Sequence, residues 1–163
     1  MAGIQGHAHV YGDSVNTDVI IAGKYTKTLN MQDLSDHCME DLDPAFKKNV
    51  RPGDVVVGGI NFGCGSSREQ APLALKYSGV SAVLAKSFAR VFFRNTINVG
   101  IPAVICDTSG IQKGDLVAVD LDKGIVTVNG EREIPCEKLP AIMQRILDQG
   151  GLAAYLLTYG DFC

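Results

Sequence analysis

Asp54-Val55-Val56-Val57 runs through a short linker into Asn61-Phe62-Gly63-Cys64-Gly65-Ser66-Ser67-Arg68-Glu69, and that loop leads into Ala71-Pro72-Leu73-Ala74-Leu75-Lys76-Tyr77. The valine run predicts a buried strand and the last segment a helix. A glycine- and serine-rich turn between them lies at the carboxyl end of a strand, where open α/β sheets hold their ligands. Gly63 and Gly65 permit close backbone approach or positive φ. Ser66 and Ser67 offer hydroxyls near amides left unpaired at a helix start, and Arg68 adds a planar cation matched to carboxylate or phosphate. One charged hydrogen bond contributes roughly 1.5–3 kcal/mol, so a few of them make half of an anion site. The plainer reading has Ser67 capping the helix and Arg68 in water. Pro72 belongs only in a first turn, which starts the helix near Glu69 or Gln70 and leaves Gly65 to Arg68 as exposed loop.

Outward from this loop, strands are predicted at His9-Tyr11, Val55-Gly58, Ala82-Ala85 and Pro102-Ile105. Helices are predicted at Met31-Glu40 behind Asn30, from Asp43-Pro44, over 70–78, and from Ser87, as cap, to about Asn98. Gly12 to Asp18 is a polar loop, after which Val19-Ile20-Ile21 resumes the apolar pattern. The strand-helix alternation implies a mostly parallel central sheet with right-handed crossovers. Leu116-Val119 and Ile125-Val128, on either side of Asp122-Lys123-Gly124, predict a small β-hairpin element. Lys138-Gln149 and Leu152-Tyr159 predict C-terminal helices parted by Gly150-Gly151.

The 163 residues, 46% hydrophobic and 20% charged, suit one domain with a sizeable core. A net charge of −3 and a pI near 5.5 argue against nucleic acid as a partner. No apolar run approaches a membrane span and no leader pattern opens the chain, so a cytoplasmic protein is expected, with no membrane partner. The five cysteines are scattered, at 38, 64, 106, 136 and 163, without a Cys-x-x-Cys pair. That spacing favours reduced thiols over a disulfide framework, and no self-contained zinc or iron-sulfur site is expected.

The block from Val57 to Val104 includes Gly63-Cys64-Gly65-Ser66-Ser67-Arg68-Glu69, Lys86-Ser87-Phe88-Ala89-Arg90, Arg94-Asn95 and Gly100-Ile101-Pro102. It resembles the swivelling domain of the aconitase superfamily. Gly12-Asp13 followed by Asn16-Thr17-Asp18-Val19-Ile20 resembles that family's second signature, and the two stand in the expected order. The resemblance implies a three-layer α/β swivelling domain spanning 1–163. The chain length is similar to the separate small subunits of two-subunit hydro-lyases, the 3-isopropylmalate, homoaconitate and 2,3-dimethylmalate enzymes.

By this resemblance the partner is an iron-sulfur large subunit, in a heterodimer or heterotetramer, and the [4Fe-4S] cluster sits there with none bound by this chain. Its iron would act on the leaving hydroxide of a small di- or tricarboxylate. Ser66 would be the base removing the proton beside a carboxylate, an act that requires its alkoxide to be stabilised by amides and Arg68. Arg68 and Ser67 would hold a carboxylate, and Asp18 would orient neighbouring groups. Lys27, in the loop after the Thr-Asp signature, stands where isopropylmalate enzymes are expected to carry an apolar residue and homoaconitases an arginine. It pairs an extra carboxylate, reaches solvent with its methylenes against an alkyl group, or is a plain solvated surface lysine. A substituted malate follows, with 3-isopropylmalate dehydration in leucine biosynthesis as the first expectation and the other two substrates as alternatives. Self-association without the large subunit is a further expectation.

Two other classes stay open: a non-catalytic anion-binding module, and a hydrolase using Ser66 or Cys64. The loop has neither the Gly-x-Ser-x-Gly elbow around Ser66 nor the Gly-Lys-Ser/Thr ending of a P-loop. Cys64 as a nucleophile needs His7, His9 or His37 to approach it in the fold. His7 and His9 alternate like a metal pair but lack further ligands nearby. Arg90 and Arg94 share a helix face and either add positive field to the loop, pair with a partner's acids or form plain salt bridges. Phe88, Val91 and Phe92 are expected in the core.

Overall fold

Burial alternates along Ile4–Val10 (β1), and this strand joins the two halves of the sheet. The computed structural model describes residues 3–28 and 30–160; Cys163 lies outside them. After β1 come α1 (Thr17–Ile20), α2 (Met31–Asp36), α3 (Phe46–Asn49), β2 (Val55–Val57), α4 (Gln70–Tyr77), β3 (Ala82–Ala85), α5 (Arg90–Asn98) and β4 (Ala103–Ile105). Then follow β5 (Leu116–Asp120), β6 (Ile125–Val128), β7 (Arg132–Pro135), α6 (Ala141–Asp148) and α7 (Leu152–Tyr159). One sheet of seven strands has the order β4-β3-β2-β1-β5-β6-β7. β1 to β4 pair in parallel, whereas β5, β6 and β7 add antiparallel to the other edge of β1.

Register explains how this sheet curls. Ile4 opposes Val119, Val55 opposes Ala82, Leu84 opposes Val104 and Val119 opposes Val126. All of these belong to one buried cluster inside the curl, with Ile134 and Cys136 packed against it. A single antiparallel bridge between Cys106 and Cys136, just beyond β4 and β7, brings the two edges of the sheet together. The inner face of the parallel half is thus covered by the antiparallel half. Its outer face, through Val56, Val83 and Ala85, packs on Ile20, Leu34, Phe46, Ala71, Leu75 and Phe92 of the helices. Strands β2 and β3 are buried on both faces, which is why they read as continuous apolar runs. Ile97 of α5 and Ala103 join Ile146, Leu147 and Tyr155 of the C-terminal helices in a third cluster.

The mixed α/β class, the parallel strands β2 to β4, the hairpin and both C-terminal helices stand where the sequence predicts them, with the hairpin built into the main sheet; the first strand starts earlier than predicted, at Ile4 rather than His9, and ends at Val10. β7 was not anticipated. Arg132-Glu133-Ile134-Pro135 is an edge strand with one inward apolar residue, so little period-2 signal marks it. Ser87 does not cap α5, which starts at Arg90 behind Ala89 without a side-chain cap. Instead Ser87 Oγ accepts from the Asn61 amide, while residues 87–89 run extended beside Phe62. Val91 is 45% exposed, contrary to its expected place in the core, because α5 buries its Phe92–Thr96–Ile97 face instead.

At the start of β2, buried Asp54 accepts from His9 Nε2 at 2.8 Å and from the amides of His7 and Arg51. Burial pushes this carboxyl up, but the hydrogen bonds from His9, Arg51 and His7 together outweigh it and hold it below the usual carboxylate range. A depressed folded-state value means that the stabilisation is present above about pH 4 and is lost as the pH falls through the folded value. Asp54→Asn is expected to lose about 2 kcal/mol near neutrality, and its stability curve to be flatter than the parent's below pH 4. Urea denaturation from pH 7 to 3 checks this; parallel acid limbs would rule out Asp54 as the titrating group.

Candidate active-site loop at the head of the parallel strands

Two loops far apart in sequence are laced together at the carboxyl ends of β1 and β2. The Thr17 amide donates to the Cys64 carbonyl at 2.9 Å, and the Gly63 amide to the Val15 carbonyl at 2.7 Å. Buried Thr17 also donates its hydroxyl to the Ser66 carbonyl at 2.8 Å. Asn16 caps α1 by accepting from the Asp18 amide at 2.7 Å. Gly63 has φ +83°, and a Cβ there would lie 2.0 Å from Phe92 Cγ; Gly65 has φ +95°, and a Cβ would lie 2.6 Å from Asn16 Oδ1. Only glycine fits either position, so the tight crossing of the loops depends on both.

The crossing leaves Ser66 and Ser67 exposed in a stretch without regular structure. α4 begins at Gln70 behind Glu69 with no side-chain cap, so Ser67 is not a helix cap. Arg68 turns back across the loop, and its Nη2 donates to Asp18 Oδ1 at 2.9 Å. Its Nη1 is buried and has no hydrogen-bond partner among the described residues. Gly23 allows this placement, since a Cβ on it would come within 3.1 Å of Nη1. Asp18, Ser66, Ser67 and Arg68 are therefore gathered by the two loops. Lys27 is exposed, just past the 3-10 turn Gly23–Tyr25. Tyr25 stacks on His37 at 3.8 Å, and His37 in turn pairs with Glu40 at 2.6 Å, which anchors that turn to the end of α2.

A cleft of about 160 Å³ opens beside the loop, lined by Ser66, Ser67, Arg68, Arg90, Val91 and Asn95 among others. Arg90 thus joins the site, whereas Arg94, four residues on, lines a separate groove between α5, α6 and α7. Neither arginine forms an ion pair among the described residues. Sequence reasoning placed no weight on Thr17 and Gly23, although Thr17 lay within the quoted signature.

The histidines do not assemble a nucleophile with Cys64. His9 is held by Asp54, His7 lies against the Gly114 carbonyl and His37 pairs with Glu40. Among the described residues no three His, Cys, Asp or Glu side chains gather as a metal set. No helix there is long and apolar enough to cross a membrane.

The profile of the Aconitase C-terminal domain family matches residues 7–107. The chain is 54% identical to the 3-isopropylmalate dehydratase small subunit 2 of Archaeoglobus fulgidus, over 96% of each chain. It is 52% identical to the methanogen homoaconitase small subunit of Methanocaldococcus jannaschii, over 94% of this chain and 91% of that one. The crystal structure of a 3-isopropylmalate dehydratase from Methanocaldococcus jannaschii superposes with a TM-score of 0.94 at 49% identity, covering 98% of this chain and 96% of the other.

Proposed function

This chain belongs to the Aconitase C-terminal domain family, and from that premise we propose that it is the small subunit of a two-subunit hydro-lyase that dehydrates and rehydrates 3-isopropylmalate. The observation carrying the reading is the Arg68 guanidinium, with one nitrogen on Asp18 and the other buried and unmet among the described residues, beside two exposed serine hydroxyls. A buried donor without a partner costs about 1–3 kcal/mol, so the site favours a ligand oxygen that supplies one. A cleft of about 160 Å³ is well below the ~300–1,000 Å³ of complete small-molecule sites. A second protein surface completing it, the large subunit, accounts for the shortfall. Residues 1–163 are read as one swivelling domain.

Each residue has a task in this reading. Arg68 holds a substrate carboxylate through its planar fork, and Asp18 keeps that fork in place. Ser67 donates a second hydrogen bond to the carboxylate. Ser66 takes the proton from the carbon beside it, its backbone fixed by Thr17 and its developing alkoxide stabilised by the Arg68 charge once water is excluded. Ala89, Val91 and Phe92 give the cleft an apolar wall suited to an alkyl substituent.

The [4Fe-4S] cluster of the family does not fit this chain's donors: no cluster of thiols or carboxylates gathers among the described residues, and Cys64 faces Asn16 across a strand bridge. The cluster is assigned to the large subunit. A homoaconitate substrate is the second reading, favoured by Lys27, an exposed cation just past the turn whose Gly23 lies beside Arg68.

The test is anaerobic mixing with an iron-sulfur large subunit, following alkene formation by ultraviolet absorbance from 2-isopropylmalate, homocitrate and 2,3-dimethylmalate. Activity is expected only in the mixture and with isopropylmalate. Preference for homocitrate, lost in Lys27→Ala, selects the second reading. A stable complex inactive on all three leaves the anion-binding module.

A further inference from the structure

The two edges of the curled sheet meet at a pair of cysteines. Cys106 continues β4 and Cys136 continues β7, and the two face each other in an antiparallel bridge. Their amides do not bond to each other. The Cys106 amide donates to the Ala85 carbonyl at 3.1 Å and the Cys136 amide to the Gly124 carbonyl at 2.9 Å. The seam is closed by the neighbouring Glu137 amide, which donates to the Ile105 carbonyl at 2.9 Å. This pattern makes Cys106 and Cys136 a non-hydrogen-bonded antiparallel pair, a type in which the Cα atoms generally stand about 4.5 Å apart and the side chains come close together. A disulfide spans Cα separations of about 4.4–6.8 Å, so this pair lies within reach.

Both side chains also share a face. Cys106 belongs to the cluster inside the curl and Cys136 packs against it, two residues beyond the inward Val104 and Ile134 respectively. Cys106 is buried and Cys136 partly exposed, which gives a small oxidant access to one thiol and puts the other directly behind it. Among the described residues Cys38 and Cys64 have no cysteine facing them: Cys38 packs among the helices and Cys64 bridges Asn16.

We propose that Cys106 and Cys136 are a latent disulfide, a modification site where a peroxide couples the two edges of the sheet covalently. The Cys136 sulfur attacks a peroxide oxygen, the O–O bond breaks, and a sulfenic acid and one water form. The Cys106 sulfur then attacks the sulfenic sulfur, the S–O bond breaks, and the hydroxyl leaves as a second water with the Cys106 proton. Two thiols are oxidised by two electrons and the peroxide is reduced by two. Burial pushes the Cys106 thiol up to about 12, with the neighbouring Cys136 and Asp107 adding to it, and burial together with Asp120 raises Cys136 as well. The thiols therefore persist reduced under mild conditions, and coupling is faster in alkaline solution.

The test treats the fully reduced protein with excess hydrogen peroxide at mildly alkaline pH, then blocks free thiols with iodoacetamide and maps peptides without reduction. One linked peptide pair containing Cys106 and Cys136 is expected, absent in Cys136→Ser and reversed by dithiothreitol. Closing a loop of about thirty residues is expected to raise the melting temperature by about 5–10 °C over the reduced protein. Linkage of any other pair, sulfinic acid without linkage, or both thiols still free for alkylation overturns the proposal. Because the wild-type map decides the outcome, a variant that folds poorly does not obscure it.

Discussion

In the assembled enzyme, Arg68→Ala is expected to lower kcat/KM by about 10²–10³-fold while the isolated subunit keeps its fold. Truncating one partner of a charged, desolvated hydrogen-bonding pair costs about 2–5 kcal/mol, and the substrate carboxylate would be the group left unpaired. Stability is affected much less. The pair with Asp18 joins a side chain 24% exposed to one 54% exposed, and pairs that open to solvent contribute about 0–1 kcal/mol. Removing the guanidinium also removes a buried nitrogen that has no partner among the described residues. The melting temperature should therefore move by no more than about 3 °C. Arg68→Lys separates charge from geometry, since an ammonium keeps the charge but cannot present two parallel donors. It is expected to recover only part of the loss. Steady-state rates of reconstituted enzyme with matched large subunit check both, and an Arg68→Ala enzyme of parental kcat/KM would remove Arg68 from the site.

The positions of Ser66, Ser67 and Arg68 at the head of a parallel strand were legible because the signals are local. A doubly buried strand must be continuously apolar, a left-handed crossing turn must carry glycine, and Pro72 fixes the first turn of α4. Non-local features were harder to read. Val91 looked like core because it sits beside Phe92 in an apolar run. Which side of α5 is buried depends on where the site loop and the C-terminal helices pack, information outside that helix. Ser87 looked like a cap for the same kind of reason. Its hydroxyl is engaged across the fold by the Asn61 amide, a contact that exists only once the loop is placed. The lacing of Thr17 to Cys64 and Ser66, the packing of Gly23 on Arg68, and the approach of Cys106 to Cys136 all join residues far apart in sequence or strands at opposite edges of the sheet. No period or spacing in the chain encodes such meetings.

Ser66→Ala is expected to reduce kcat by about 10²–10⁴-fold, the span of a lost general base, with KM changed less than about threefold. The split follows from the division of labour around the cleft. Carboxylate binding rests on Arg68 and Ser67, so the ground-state complex forms without the Ser66 hydroxyl, whereas the proton has nowhere to go. Folding should not suffer, because the Ser66 side chain is exposed and its structural tie is the carbonyl that accepts from Thr17, which alanine retains. Ser67→Ala supplies the contrast, with a raised KM and a smaller loss of kcat. Rates alone do not distinguish a base from a residue that aligns substrate, so the proton itself must be followed. In deuterated water the reconstituted parent should exchange the hydrogen beside the substrate carboxylate, and nuclear magnetic resonance should show deuterium entering there. The Ser66→Ala enzyme should bind substrate yet exchange more slowly than the parent by about the same factor as its kcat falls. Exchange at the parental rate in that variant would mean that another group removes the proton, and would leave Ser66 as a binding residue.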